Sequence, residues 1–318
     1  MKISIIGAGN VGGALAERIL SKSLADVILL DIESDLARGK AFDLEDASPL
    51  MGYGTKITGA GDYSLIRESD IIVMTAGFAR RPGMSRGDLL SKNASIVRDI
   101  AKRVRKEARN AIFLTVTNPL DAMTYIAYEE LGRDSKKVFG MAGNLDTARF
   151  TMLISKRLNV SFKDVEALVL GSHGNTMVPL VSQTRVRGKK LQELLQAKDL
   201  EELLEATKKR GAHIVSLLKS GSAYYSPSAA VFDILQSIIR DEKKIIPCSV
   251  VLQGEYGIND CAVGVPARIG KNGIEKVIEL ELSRKESGLL QKSAQAVKEA
   301  LGELSAKRSS DNGRGKQA

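Results

Sequence analysis

The chain has 318 residues, enough to bury a sizeable core as two domains or one large α/β unit. Hydrophobic residues make up 43% and charged residues 27%, and no apolar run approaches the roughly 18 residues that a spanning helix needs, so no membrane partner is expected. The net charge of +9 invites a nucleic-acid function, but +3 of it sits in residues 305–318. The other arginines occupy glycine- and proline-bearing segments with few aromatics, so no nucleic-acid partner is expected either. Ser305 to Ala318 is rich in Ser, Gly and Asn and reads as a disordered basic tail. The first glycine arrives at Gly7, too early for a signal peptide. Cys248 and Cys261 lie in apolar surroundings without metal-ligand spacing. They read as core residues of a reducing cytoplasm, and no metal is expected.

Residues 2–6, Lys-Ile-Ser-Ile-Ile, form a β-branched run ending in Gly7-Ala8-Gly9-Asn10-Val11-Gly12. A helical pattern follows, with Val11, Leu15, Ile19 and Leu20 on one face, and a second run, Val27–Leu30, ends at Asp31. Strand, glycine turn, helix, strand and a trailing acid make the dinucleotide-binding fingerprint, with Asp31 nineteen positions after Gly12. Gly7 permits the tight turn, Gly9 lets backbone approach a pyrophosphate, and Gly12 lets helix pack on strand. The helix N-terminus then offers N–H groups and partial positive charge to the phosphates. A carboxylate at Asp31 accepts from ribose hydroxyls and repels a 2′-phosphate, which favours NAD over NADP. It also suits an acid that merely ends a strand.

Further apolar strands, Ile71–Thr75 and Ile112–Thr117, flank an amphipathic helix over Ala94–Ala108. Non-alternating strands separated by such helices predict a parallel sheet covered on both faces, a doubly wound Rossmann domain. Residues 76–88 carry Arg80, Arg81 and Arg86 among glycines and Pro82, as a mobile cationic loop over a site or as a solvated surface loop. Asn118 ends a strand before Pro119, where its amide binds a ligand or shapes the turn. Val138–Ala142 leads to Asp146 and Arg149, three apart at a helix start and on one face. The pattern changes here, so the boundary is placed at 142, with 1–142 a nucleotide-binding domain and 143–304 an α+β substrate domain.

In the second half, Val165–Leu170 leads to Gly171-Ser172-His173-Gly174-Asn175, and Val178–Val186 predicts a twisted hairpin. A glycine-flanked histidine at a strand terminus exposes its imidazole where α/β folds place ligands, and histidine moves protons near neutral pH. It equally suits a surface turn. Helical segments are expected over 199–219 and 226–240, broken by Gly221 and Pro227, with His213 in a structural role. Strands over Ile246–Leu252, Cys261–Val265 and Val277–Leu282 follow, then an amphipathic helix over 286–304.

From Lys2 to about Leu304 the chain resembles the lactate/malate dehydrogenase family, through motifs that fall in family order. The resemblance implies that His173 in G-S-H-G is the proton acceptor, Asp146 in N-L-D-T-A-R-F its partner carboxylate, and Arg149 the substrate-carboxylate arginine. It implies that Arg86 in P-G-M-S-R polarises the substrate carbonyl and that Asn118 in V-T-N-P contacts substrate. Gly7, Ala8, Gly9, Asn10, Val11, Gly12, Asp31, Asn93, Val116, Thr117 and Asn118 would bind NAD. In the family, arginine at the position of Arg80 accompanies malate and glutamine accompanies lactate, because a guanidinium pairs the distal carboxylate of oxaloacetate. Pyruvate would leave that charge enclosed and unpaired.

The implied activity is NAD-dependent oxidation of (S)-malate, a tricarboxylic acid cycle reaction, with lactate or another 2-hydroxy acid as the alternative. The implied assembly is a homo-oligomer, a tetramer rather than a dimer. One departure stands out. Many relatives carry aspartate where this chain has Asn175, which removes a charge close to His173 and tunes its proton affinity downward.

Overall fold

The computed structural model describes residues 1–78 and 84–314; of residue 86 and of residues 307–314 it describes the backbone only. Strand β1 (Lys2–Ile6) runs through the glycine turn into helix α1 (Asn10–Ser21), then β2 (Asp26–Leu30), α2 (Ser34–Met51) and β3 (Ile57–Ala60). The chain crosses back to β4 (Ile71–Met74), α3 (Arg86–Glu107), β5 (Ile112–Thr115), α4 (Leu120–Leu131) and β6 (Val138–Gly140). These six strands are parallel, in the order β3-β2-β1-β4-β5-β6. Their side chains alternate between two buried layers. Ile3, Ile5, Ile71, Val73, Ile112 and Leu114 pack on one face, with Ile72, Met74 and Phe113 on the other. Both faces are covered, which is why the strands read as unbroken apolar runs.

After α5 (Gly143–Leu158), short strands β7 (Val165–Glu166), β8 (Val169–Leu170), β9 (Val178–Pro179), β10 (Arg185–Val186) and β11 (Lys189–Lys190) form two small sheets. The hairpin expected over Val178–Val186 does not form. Its first end pairs with β8 and its second with β7 and β11, because Leu180–Thr184 turns on itself between them. Helices α6 (Leu191–Leu194), α7 (Ala197–Leu218) and α8 (Tyr225–Ile239) follow. Pro227 does not break α8. It lies in the first turn, where a missing N–H costs nothing.

The last strands, β12 (Lys244–Gln253), β13 (Asn259–Gly270) and β14 (Gly273–Val277), are longer than the sequence predicts, except that β14 ends where the third expected strand begins. They do not form a sheet apart. Ser249 of β12 pairs with Gly140 of β6, so all three extend the Rossmann sheet antiparallel to nine strands among the described residues. Helix α9 (Arg284–Arg314) carries helical backbone ten residues past Leu304, into the segment read as a tail. Lengthening a formed helix is cheap compared with starting one. No helix among the described residues is long and apolar enough to cross a membrane.

Candidate active site

Strand order reverses at β1, so the turns after β1 and β4 face each other at the carboxyl end of the sheet, where such folds bind ligands. Backbone clearance shapes this end. Gly7 has φ +114°, and a Cβ on it would stand 2.5 Å from the Ala76 nitrogen; one on Gly12 would stand 1.9 Å from the Gly7 carbonyl oxygen. Only glycine fits at either position. A Cβ on Gly9 would meet nothing within 4 Å, which leaves a cradle above the turn. Helix α1 begins there with no side-chain cap and no acid in its first turn, so its free N–H groups and dipole suit a pyrophosphate.

Asp31 Oδ2 accepts from the Ala8 N–H at 2.7 Å and Oδ1 from the Glu33 N–H at 3.1 Å. Each carboxylate oxygen can accept a second bond, so the ribose role stays open. Lys40 of α2 donates to the carbonyls of Ala8 and Gly9 at 2.7 and 3.2 Å. The turn is thus held from both sides, by an acid and by a lysine that the sequence did not single out. A lysine among the polar residues of α2 carries no local signal.

The floor between the two ends is tied by polar side chains. Asn93, fully buried on α3, accepts from the Phe78 N–H at 2.8 Å and donates to the carbonyls of Phe78 and Asn118 at 3.1 and 2.6 Å. The Thr117 hydroxyl donates to the Ala76 carbonyl at 2.7 Å, and the Val116 N–H to that of Met74 at 2.9 Å. Asn118 is exposed and lines, with His173, a cavity of about 510 Å³.

At the far end, His173 Nδ1 lies 2.8 Å from Asp146 Oδ2. A carboxylate can only accept, so Nδ1 carries the hydrogen and Nε2 keeps its lone pair. Burial works against a charged imidazole, but the attraction of Asp146 outweighs it and raises the His173 pKa above the ordinary value. Arg149, one turn along α5, places Nη1 3.4 Å from Asp146 Oδ1, with its side chain 11% exposed. Its Nε is buried without a hydrogen-bond partner among the described residues, a donor awaiting an acceptor. Gly211 of α7 faces the same guanidinium: a Cβ there would lie 3.4 Å from Nη1.

The turn bearing His173 is pinned at each residue. Gly171 exchanges backbone hydrogen bonds with Gly264 of β13, and the Ser172 N–H donates to Ser293 Oγ at 2.6 Å. The Ser172 hydroxyl and the His173 N–H both donate to Asp121 Oδ2, at 2.8 and 2.9 Å. Asp121 belongs to α4, a helix absent from the sequence reading.

His173, Asp146, Arg149 and Asn118 therefore converge, and the Gly7–Gly12 turn with Asp31, Asn93, Val116 and Thr117 forms the adjoining end. Arg80 lies outside the described residues. Arg86 is no loop residue: it opens α3, eight residues before the predicted start. Ser85 and Asp88 cap that helix reciprocally, with Ser85 Oγ accepting the Asp88 N–H at 3.0 Å. The Arg86 side chain lies outside the described atoms. His213, expected in a structural role, is exposed on α7, and its carbonyl accepts from Ser216 at 2.8 Å. Cys248 and Cys261 are buried free thiols, and burial pushes Cys261 up to about 12, far from reactivity. Among the described residues no three His, Cys, Asp or Glu side chains are grouped to hold a metal.

The comparisons with known proteins cover both halves. Residues 1–140 match the lactate/malate dehydrogenase NAD binding domain and residues 143–307 the family's α/β C-terminal domain. A malate dehydrogenase of Chlorobium phaeobacteroides is 46% identical over 307 residues, covering 96% of this chain and 99% of its own. One from Methanosarcina mazei is 44% identical, with 96% and 99% covered. Among solved structures, Cryptosporidium parvum malate dehydrogenase superposes with a TM-score of 0.93 at 41% identity, covering 96% of this chain and 99% of that one. A lactate dehydrogenase from that organism, complexed with lactic acid and nicotinamide adenine dinucleotide, reaches 0.92 at 36% identity, with 96% and 98% covered. The fold alone does not separate the two substrates, but it settles the kinship: the chain belongs to the lactate/malate dehydrogenase family.

Proposed function

We propose that the chain catalyses the reversible NAD-dependent oxidation of (S)-malate to oxaloacetate, on one observation above all: the 2.8 Å His173–Asp146 pair beside Arg149, whose buried Nε lacks a partner. Nicotinamide, when bound, supplies the acceptor for the hydride that leaves C2. His173 Nε2 takes the C2 hydroxyl proton, and Asp146 fixes the tautomer and stabilises the imidazolium. In the reverse direction the protonated ring returns that proton to the carbonyl oxygen. Arg149 grips the C1 carboxylate through a two-pronged pair, and Asn118 adds a hydrogen bond at the cavity wall. The glycine turn and the first turn of α1 hold the pyrophosphate, and Asp31 the adenosine ribose. Asn93, Val116 and Thr117 would help hold the cofactor at this end of the cleft.

Arg86 polarises the C2 oxygen in this scheme, and Arg80 pairs the distal carboxylate. Residues 1–142 act as the NAD-binding unit and 143–304 as the substrate unit, with a basic tail at 305–318. The protein works in the cytoplasm, within the tricarboxylic acid cycle, as a homo-oligomer, a tetramer rather than a dimer. Lactate is the weaker reading. The malate dehydrogenase relatives are the ones at 44 to 47% identity, and a guanidinium at 80 would have no partner in pyruvate.

Steady-state oxidation of NADH, repeated with NADPH, tests this. Oxaloacetate should exceed pyruvate in kcat/KM by about 10³-fold or more, and NADH should be preferred. Arg80→Gln should collapse oxaloacetate turnover and raise that of pyruvate. Equal use of the two keto acids by the parent, or an unchanged Arg80→Gln, would overturn the substrate assignment.

A further inference from the structure

Beneath the histidine turn lies a carboxylate that the proposed chemistry leaves unused. Asp121 sits in the first turn of α4 and is 2% exposed. Its Oδ1 accepts from Ser249 Oγ of β12 at 2.7 Å, and its Oδ2 from the Ser172 hydroxyl and the His173 N–H. One buried side chain thereby joins the last strands, the helix after Asn118-Pro119, and the turn that carries the proton acceptor. Burying a carboxylate is costly, and a neutral amide or hydroxyl could tie the same turn for less. Its charge is the feature that needs an account.

The local charge balance supplies one. Among the described residues, the charged groups acting on the imidazole are Asp146 and Arg149 from α5 and Asp121 from α4; Glu303 of α9 lines the same cavity. Asp146 and Arg149 are themselves an ion pair, so Arg149 takes back part of what Asp146 contributes when His173 becomes charged. Asp121 adds a second negative charge on the same side of the balance. Burial pushes its carboxyl above the ordinary carboxylate value, while three donors and the N-terminal end of α4 work to keep it anionic.

We propose that Asp121 is a positioning residue for proton transfer, seating the turn that carries His173 and supplying a second fixed negative charge that holds the protonated imidazole. The inference rests on His173 being the proton acceptor. Asp121 pushes the histidine in the same direction as Asp146, by a smaller amount.

Asp121→Asn keeps the size and the hydrogen bonds. Its carbonyl oxygen can accept from Ser172 and His173, while its amide donates to Ser249, whose hydroxyl rotates. Only the charge is lost. The His173 pKa should fall by about half a unit or more, and the alkaline limb of oxaloacetate reduction should move down with it. The KM for oxaloacetate and the affinity for NADH should change little. Because the chain has two histidines, imidazole NMR titration reads His173 directly once His213→Gln removes the other signal. This readout needs no turnover, so it separates the two ideas. An active His173→Gln would sink the proton-acceptor reading, whereas an unmoved His173 titration in Asp121→Asn would sink only the role of Asp121. Asp121→Ser, smaller and also uncharged, is the second variant. A shift in either one supports the proposal; failure of both to fold would make Asp121 a folding residue and overturn it.

Discussion

The two ends of the cleft are built from different material. At the cofactor end the working parts are backbone atoms, and the design variable is clearance: Gly7 and Gly12 have none, and Gly9 has all of it. At the substrate end the working parts are buried charges, Asp121, Asp146 and Arg149 around His173, and the design variable is balance. A backbone site tolerates changes of charge but not of volume, and a charge site the reverse. Substitutions that separate the two kinds of failure therefore test whether each end works as its material implies.

The largest expected effect is chemical. His173→Gln preserves side-chain volume approximately and removes the group proposed to accept and return the proton. The kcat/KM for oxaloacetate should fall by about 10³-fold or more, with NADH binding within about twofold of the parent. NADH fluorescence titration beside stopped-flow turnover distinguishes this from general damage. A parallel loss of NADH affinity would show that the two ends are not separable.

A smaller effect, in the opposite sense, belongs to the glycines. On Gly12 a Cβ would stand 1.9 Å from the Gly7 carbonyl, so Gly12→Ala has to displace the turn itself. It should lower Tm by several degrees and weaken NADH about tenfold or more. Gly9→Ala meets no protein atom within 4 Å, so Tm should hold while NADH weakens. Equal thermal loss in both variants would mean that the cradle at Gly9 is not reserved for a ligand. Calorimetry of the two free proteins decides it.

What the sequence disclosed follows the same division. The glycine turn and Asp31 sit in a short stretch whose spacing carries its meaning, while His173 and the Asp146–Arg149 pair sit in short motifs whose roles came from the family resemblance. Asp121 and Ser249 could not be found that way. Helix α4 is buried at eight of its twelve positions, so it has no polar stripe to mark it as a helix. Without that helix, Asp121 is only an acid after Asn118-Pro119-Leu120. The joining of β12 to β6 was hidden for another reason: one pairing, Ser249 with Gly140, decides which edge the last strands extend, and no local pattern encodes it. The early start of α3 was masked by a segment rich in glycine and proline, although Ser85 and Asp88 have the spacing of a reciprocal cap.

The smallest effect concerns Asn175, where the family resemblance leads to the expectation of an acid. It is exposed, two residues beyond His173, and its environment differs from that of buried Asp121. A charge in contact with water is screened, while one enclosed in protein is not. Asn175→Asp should therefore raise the kinetic pKa of His173 by about 0.2 to 0.3 units at low salt, and the rise should vanish near 1 M salt. The sign is fixed by linkage: an added negative charge favours the imidazolium, so oxaloacetate reduction, which needs the protonated ring, extends to slightly higher pH. The shift lost in Asp121→Asn should survive high salt, since its charge is shielded by protein rather than solvent. The salt dependence of the two pH profiles thus ranks the acids by burial, and equal sensitivity to salt would mean that water reaches Asp121 as well.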